Sequence, residues 1–255
     1  MADIKKLGVQ LFTVRDYMGN EASMKETFAR LKSMGYDEVQ TAGCPVPYDV
    51  FGNLCADAGL EIVGTHDNLS MMFDEPEKAM ECHDLLHTKI MGIGGYGFAD
   101  VAALDDFCVK VNRLCSVIGP RGFKFSYHNH SSEFCKLEDG KTILAHLADS
   151  LDAKYATFCL DTYWVQHGGG DVREWIKKLA GRIEIIHLKD MAMTPGGAVM
   201  TEIGNGNLYW EGIIEEANNS GVNHFVVEHD VNWTDDDPFK SLEISADYLR
   251  KNFLA

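Results

Sequence analysis

Short apolar, β-prone runs alternate along this chain with longer segments of helical period, and the alternation restarts about every 30 residues. The runs predict strands over Leu7 to Val14, Asp37 to Ala42, Glu61 to His66, Lys89 to Ile93, Phe123 to His128, Thr157 to Thr162, Ile183 to Lys189 and His224 to Asp230. Between them the clearest helix places Val101, Leu104, Phe107, Cys108, Val111, Leu114 and Cys115 on one face at spacings of three and four. Glycines stand at predicted helix exits directly before a strand, at Gly35, Gly59 and Gly221, where a left-handed residue closes the last turn.

Eight βα units in 255 residues fit a (β/α)₈ TIM barrel, which usually takes about 250 residues. Its crossovers are right-handed and its centre is filled by inward side chains. No linker, composition break or charge block divides the chain, so one domain is expected over residues 1–255. An open doubly wound sheet is the rival, favoured by Gly92-Ile93-Gly94-Gly95-Tyr96-Gly97, which has the spacing of a dinucleotide-binding turn. The acidic residue such a site needs about 20 residues further on is missing from Ser116 to Gly122, so the glycines read as a tight βα turn.

In a (β/α)₈ barrel the reacting groups sit where strands end. The fifth strand runs into Ser126-Tyr127-His128-Asn129-His130 and then Glu133; the sixth ends Leu160-Asp161-Thr162; the seventh, His187-Leu188-Lys189-Asp190; the eighth, Glu228-His229-Asp230. Two Glu, one Asp and one His converging on a barrel axis suit a divalent cation, since carboxylates brought together without one must raise their pKa values or share a proton. Manganese, magnesium, cobalt and zinc all tolerate such donors.

Charge narrows the partner. Lys plus Arg number 23 against 39 Asp plus Glu, a formal charge of −16, which is the wrong sign for holding nucleic acid. No apolar run approaches the roughly 18 residues of a membrane span, and Met1 to Lys6 has no secretory apolar region, so a cytoplasmic protein is expected, with no membrane partner. The seven scattered cysteines form no C-x-x-C pair and read as reduced core residues.

Val9 to Arg15, Tyr127-His128-Asn129-His130 with Glu133-Phe134, Leu160 to Trp164 with Gly168-Gly169, Gly181-Arg182 leading to His187 to Asp190, Ile203 to Gly206, and Val227 to Asp230 form a set. Together they resemble the xylose isomerase-like TIM-barrel superfamily, in particular the bacterial sugar phosphate isomerases/epimerases. They occur in the group's order and nearly span the chain. The resemblance implies one divalent ion held by Glu133, Asp161, His187 and Glu228. Better-known epimerases carry a Glu inside the fifth strand, where this chain reads Ser126-Tyr127-His128. Either Glu133 reaches back from the loop or His128 or His130 replaces it. The second strand also departs, with Gln40 where a Glu is common.

Such a centre suits proton abstraction beside a carbonyl, with His128, His130 and His66 as candidate bases. Lys189 is a candidate to orient a substrate hydroxyl, or else a rim partner of Asp190. Phe12, Trp164 and Trp210 are candidates for an apolar wall against a sugar's C–H face, or core aromatics. The loops after strands seven and eight are acidic, which favours an unphosphorylated sugar. Asp235-Asp236-Asp237-Pro238 reads as a helix cap. The expected activity is a metal-dependent sugar isomerase or epimerase working through an enediolate. The alternatives are a lyase or dehydratase on a keto-sugar or keto-inositol, supported by the histidine-rich fifth strand, and a non-catalytic sugar-binding subunit. A metal-dependent endonuclease would require a cationic groove. Association into a homo-oligomer is compatible with such barrels.

Overall fold

Successive strand residues face opposite sides, and eight parallel strands use this to split their side chains between a barrel interior and a surrounding helical layer. The structure is a computed structural model that describes residues 4–254. The strands are β1 (Leu7–Gln10), β2 (Glu38–Ala42), β3 (Glu61–His66), β4 (Ile90–Ile93), β5 (Lys124–His128), β6 (Ala156–Asp161), β7 (Ile183–Leu188), β8 (Asp190–Thr194), β9 (Gly197–Thr201) and β10 (His224–Val227). Hydrogen-bonded neighbours run β3-β2-β1-β10-β7-β6-β5-β4, all parallel, while β8 and β9 form a separate antiparallel hairpin.

The two ends of that order meet at β3 and β4. There Asp67 N donates to Gly92 O at 2.9 Å and Gly92 N donates to Thr65 Oγ1 at 3.3 Å. A Cβ on Gly92 would stand 2.2 Å from Thr65 O, so this seam admits only glycine. The first glycine of the Gly92–Gly97 motif therefore brings the barrel ends together, and Gly95 turns the chain at φ +134 on the way to the next helix.

Inside the barrel Val63, Cys159, Ile185 and Val226 pack against Ile90. Outside, the helix Val101–Ile118 buries Leu104, Phe107, Cys108, Val111, Leu114, Cys115 and Ile118 in the larger core, each full burial contributing about 1.5–3 kcal/mol for the large apolar side chains. Val101 is exposed, since it opens the helix just after the Asp100 cap. Asp237 caps the last helix, Pro238–Asn252, accepting from Phe239 N at 2.9 Å.

Several expectations change. β1 stops at Gln10 because the Gln10 side chain accepts from Phe12 N and starts a 3₁₀ turn over Leu11–Tyr17. β10 stops at Val227, leaving Glu228 to Asp230 as the mouth loop. The β8–β9 hairpin was not anticipated, although Pro195-Gly196 lies between two short β-prone runs. Four cysteines are buried, but Cys44 and Cys82 are only partly so, and Cys135 is exposed. Among the described residues no helix is long and apolar enough to cross a membrane.

Candidate metal centre

Inward positions two residues apart carry the site. Ser126 and His128 on β5, Cys159 and Asp161 on β6, Ile185 and His187 on β7, and Val226 followed by Glu228 after β10 each set the polar residue one layer above a small or apolar one. The strand registers place Asp161 opposite His187, and Val226 opposite His187. One donor atom from each of His128, Asp161, His187 and Glu228 lies within 4.8 Å of all the others, and all four residues are buried.

Each ligand candidate is aimed by a second contact. His128 Nδ1 donates to Gly94 O at 3.3 Å, which leaves Nε2 facing inward. His187 Nε2 donates to Gln40 Oε1 at 2.5 Å, which leaves Nδ1 facing inward. Asp161 Oδ1 accepts from Trp164 N at 2.8 Å, and its backbone N donates to Asn129 Oδ1 at 3.0 Å. The freed atoms, His128 Nε2, His187 Nδ1 and Asp161 Oδ2, are buried without a hydrogen-bond partner. They approach one another closely: His128 Nε2 to Asp161 Oδ2 is 3.5 Å, His187 Nδ1 to Asp161 Oδ2 is 3.6 Å, and His187 Nδ1 to Glu228 Oε2 is 2.9 Å. Unpartnered buried nitrogen and oxygen atoms converging on one point, each oriented from behind, fit a divalent cation.

Glu133 lies outside this group. It is buried in the 3₁₀ turn Ser131–Phe134, where Oε1 accepts from Tyr127 Oη at 2.8 Å and Oε2 accepts from His130 N at 2.7 Å and Ser132 Oγ at 3.0 Å. Its oxygens are thus committed to the loop, and His128 stands in the fourth position.

Lys189, directly after β7, is buried against the same carboxylates: Nζ lies 2.8 Å from Glu228 Oε2, 2.7 Å from Asp230 Oδ2 and 3.3 Å from Asp161 Oδ2. It does not pair with Asp190, whose carboxylate instead accepts from Met191 N, Gly204 N, Gly206 N, Leu208 N and Trp210 Nε1. Trp210 is therefore a buried anchor and no part of a sugar-facing wall. Phe12, exposed, and Trp164, beside Lys189 and His130, remain at the mouth.

The electrostatics follow from this crowding. Burial opposes ionisation of Asp161 and Glu228, yet Lys189 and the neighbouring histidines hold both below the usual carboxylate range. Burial likewise opposes the Lys189 charge, but three carboxylates keep it above the ordinary lysine value. His187, despite burial, is raised by Cys159, Glu228 and Asp161, a sign of how strongly the centre attracts positive charge. Burial and Glu228 push Asp230 up to about 6. His130 is lowered to about 4, chiefly by burial, and His66 is lowered well below its ordinary value for the same reason, so both are neutral at pH 7.

A cavity of about 370 Å³ opens beside the centre, lined by Phe12, His66, His128, His130, Lys189, Glu228 and Asp230 among others. The three predicted histidines gather there: the His66 and His128 rings are 5.0 Å apart and those of His128 and His130 are 4.8 Å apart. Sequence reasoning did not single out Asp230, Asn129 or Gln10 for the site, and it flagged Gln40 only as a departure. The signal available for Gln10 and Gln40 is their inward register at the strand tops, Gln10 opposite Gln40.

The chain belongs to the xylose isomerase-like TIM barrel family, which residues 28–252 match. Among solved structures it is similar to a sugar phosphate isomerase/epimerase from Parabacteroides distasonis ATCC 8503, with 23% identity, 97% of this chain and 94% of that chain covered, and a TM-score of 0.84. A probable 3-DHS dehydratase, AsbF, from Bacillus anthracis has 14% identity, covers 97% of this chain and 99% of its own, and has a TM-score of 0.70. An L-ribulose 3-epimerase has 12% identity, 96% and 93% coverage and a TM-score of 0.73. At these identities the likeness shows the fold. No curated protein matches the chain.

Proposed function

We propose that this chain is a divalent-metal-dependent sugar isomerase or epimerase that moves a proton beside a carbonyl of an unphosphorylated monosaccharide or keto-sugar. The observation that carries the reading is the convergence of His128, Asp161, His187 and Glu228, two of which, His128 and Glu228, line a cavity that also holds two neutral imidazoles. These four residues would hold the ion, which when bound supplies a Lewis acid for the substrate's carbonyl oxygen and the adjacent hydroxyl. His130 and His66, kept neutral by burial, accept the C–H proton and return it to the neighbouring carbon or the opposite face. Lys189 lines the same cavity and donates to a substrate oxygen. Phe12 and Trp164 border the mouth and shield the reacting C–H from water. The likeness to proteins named as a sugar phosphate isomerase/epimerase and an L-ribulose 3-epimerase supports the reaction class, and the acidic loops at the mouth favour an unphosphorylated substrate.

A second reading, elimination of a β-leaving group from a keto-sugar, is favoured by one observation. The Lys189 ammonium lines the cavity beside neutral His130, an acid and a base within one site. The likeness to a probable dehydratase supports it as well.

The test is incubation of the manganese-reconstituted protein with a panel of ketoses and keto-sugars in D₂O, followed by NMR and mass spectrometry. Deuterium wash-in with an isomerised or epimerised carbon skeleton supports the first reading. Loss of a leaving group supports the second. No exchange and no metal uptake would sink both and favour a sugar-binding subunit.

A further inference from the structure

We infer that the Lys189 ammonium is a tethered competitor for the metal position, which an entering ion displaces towards Asp230. The inference rests on the metal-dependent reading above. Lys189 Nζ stands 2.8 Å from Glu228 Oε2 and 3.3 Å from Asp161 Oδ2. These are the same two oxygens that approach His187 Nδ1 at 2.9 and 3.6 Å and His128 Nε2 at 4.0 and 3.5 Å. A cation coordinated by that set needs Glu228 Oε2, to which Lys189 now donates, and must share Asp161 Oδ2 with the ammonium 3.3 Å away. An ammonium and a divalent ion on shared oxygens also repel each other in a site with little water to screen them.

Asp230 provides the place to withdraw. Nζ already lies 2.7 Å from Asp230 Oδ2, and Asp230 Oδ1 is buried without a partner. An ammonium has three donors and can satisfy both Asp230 oxygens while keeping one donor for the cavity that Lys189 and Asp230 both line. Three carboxylates and one lysine carry a formal charge of −2, which a divalent ion cancels. The charge of the pocket is therefore matched to an ion plus a displaced lysine, and the same movement turns Lys189 from a counter-ion into a substrate donor. Ion binding and substrate positioning become one event.

The experiment is isothermal titration of Mn²⁺ into the full-length wild type and into K189M, K189Q, D230N and K189M/D230N, with circular dichroism to check that each is folded. Competition predicts that K189M and K189Q bind Mn²⁺ about tenfold more tightly or better, whereas D230N binds it more weakly because the lysine has lost its retreat. In the K189M background the D230N effect should shrink to within about twofold, since no competitor remains. Folded lysine variants that bind no more tightly than wild type overturn the inference and leave the metal reading standing. A D230N loss of equal size in both backgrounds overturns it too, because Asp230 would then act by its charge alone. Should K189M fail to fold, K189Q and D230N still decide the sign. No Mn²⁺ binding by the wild type would remove the metal reading together with the inference.

Discussion

Gln40 Oε1 lies 2.5 Å from His187 Nε2 and also accepts from Gln10 Nε2 at 2.9 Å, so one amide oxygen decides which nitrogen of His187 faces the carboxylates. Gln10 Nε2 in turn reaches His66 Nδ1 at 3.3 Å, which ties a candidate base to the orientation of a candidate ligand. Replacing Gln40 by Leu should lower Mn²⁺ affinity by about 10–100-fold, the usual cost of losing the partner behind a metal-bound histidine. Gln40→Glu retains the acceptor and should retain binding. Competition with a chromophoric chelator reads both, and unchanged affinity in Gln40→Leu would show that His187 is held by its ring packing instead.

Glu133 and His128 can be told apart directly. Glu133→Gln should keep a full complement of metal and cost stability by about 1–3 kcal/mol, because the loop donors of Tyr127, His130 and Ser132 lose a charged acceptor. His128→Ala should lose most of its metal. Inductively coupled plasma mass spectrometry on the two purified variants, with urea unfolding alongside, checks the pair. The reverse pattern would return the ligand role to Glu133.

The Asp190 carboxylate collects five N–H donors from the segment that follows β7 and carries the hairpin. Asp190→Ala leaves those donors unpaired, two of them from Gly204 and Gly206, and at Gly206 the close approach needs glycine, since a Cβ there would stand 2.2 Å from Asp190 Oδ1. A loss of about 3 kcal/mol or more is expected. Limited proteolysis should cut first between residues 201 and 209. A variant as stable and as resistant as wild type would show that the loop is held from elsewhere.

His83 gives a pH dependence from a group outside the cluster of metal-ligand candidates. It is buried, with Nε2 2.8 Å from Thr65 Oγ1 and Nδ1 2.7 Å from Ala79 O, and burial lowers its pKa below the ordinary 6.5. Between the folded value and 6.5 the unfolded chain binds the proton and the folded chain does not. The contribution of His83 is therefore complete above about pH 6.5 and falls as pH drops, by at most about 1.4 kcal/mol per pH unit. Urea unfolding at pH 7.5 and pH 5 should show a smaller drop for His83→Asn than for wild type. An equal drop would mean that other groups carry the acid sensitivity.

Strand alternation explains which site residues were legible. His128, Asp161 and His187 sit at inward registers of strands whose apolar runs are plain in the sequence, and Glu228 follows β10 directly, so their convergence follows from period two and barrel closure. Glu133 lies beyond the last ordered position of β5, where period no longer says which way a side chain points. There its fate depended on three loop donors that no spacing rule predicts. Which of its two readings Trp210 takes depended likewise on a distant partner: its Nε1 donates to Asp190, twenty residues away in sequence, which makes it a core aromatic.

What the sequence determined by itself is the barrel, the order of its strands and the polar character of the mouth, because hydrophobic period and helix-ending glycines are local properties that survive without tertiary contacts. Only the tertiary structure decided that Gly92 serves the β3–β4 seam, that Gln40 orients His187 and that Lys189 sits among three carboxylates. Those outcomes depend on distances between residues 27 to 147 positions apart, which are set when the sheet closes and the low-dielectric interior forces every charge to find a partner.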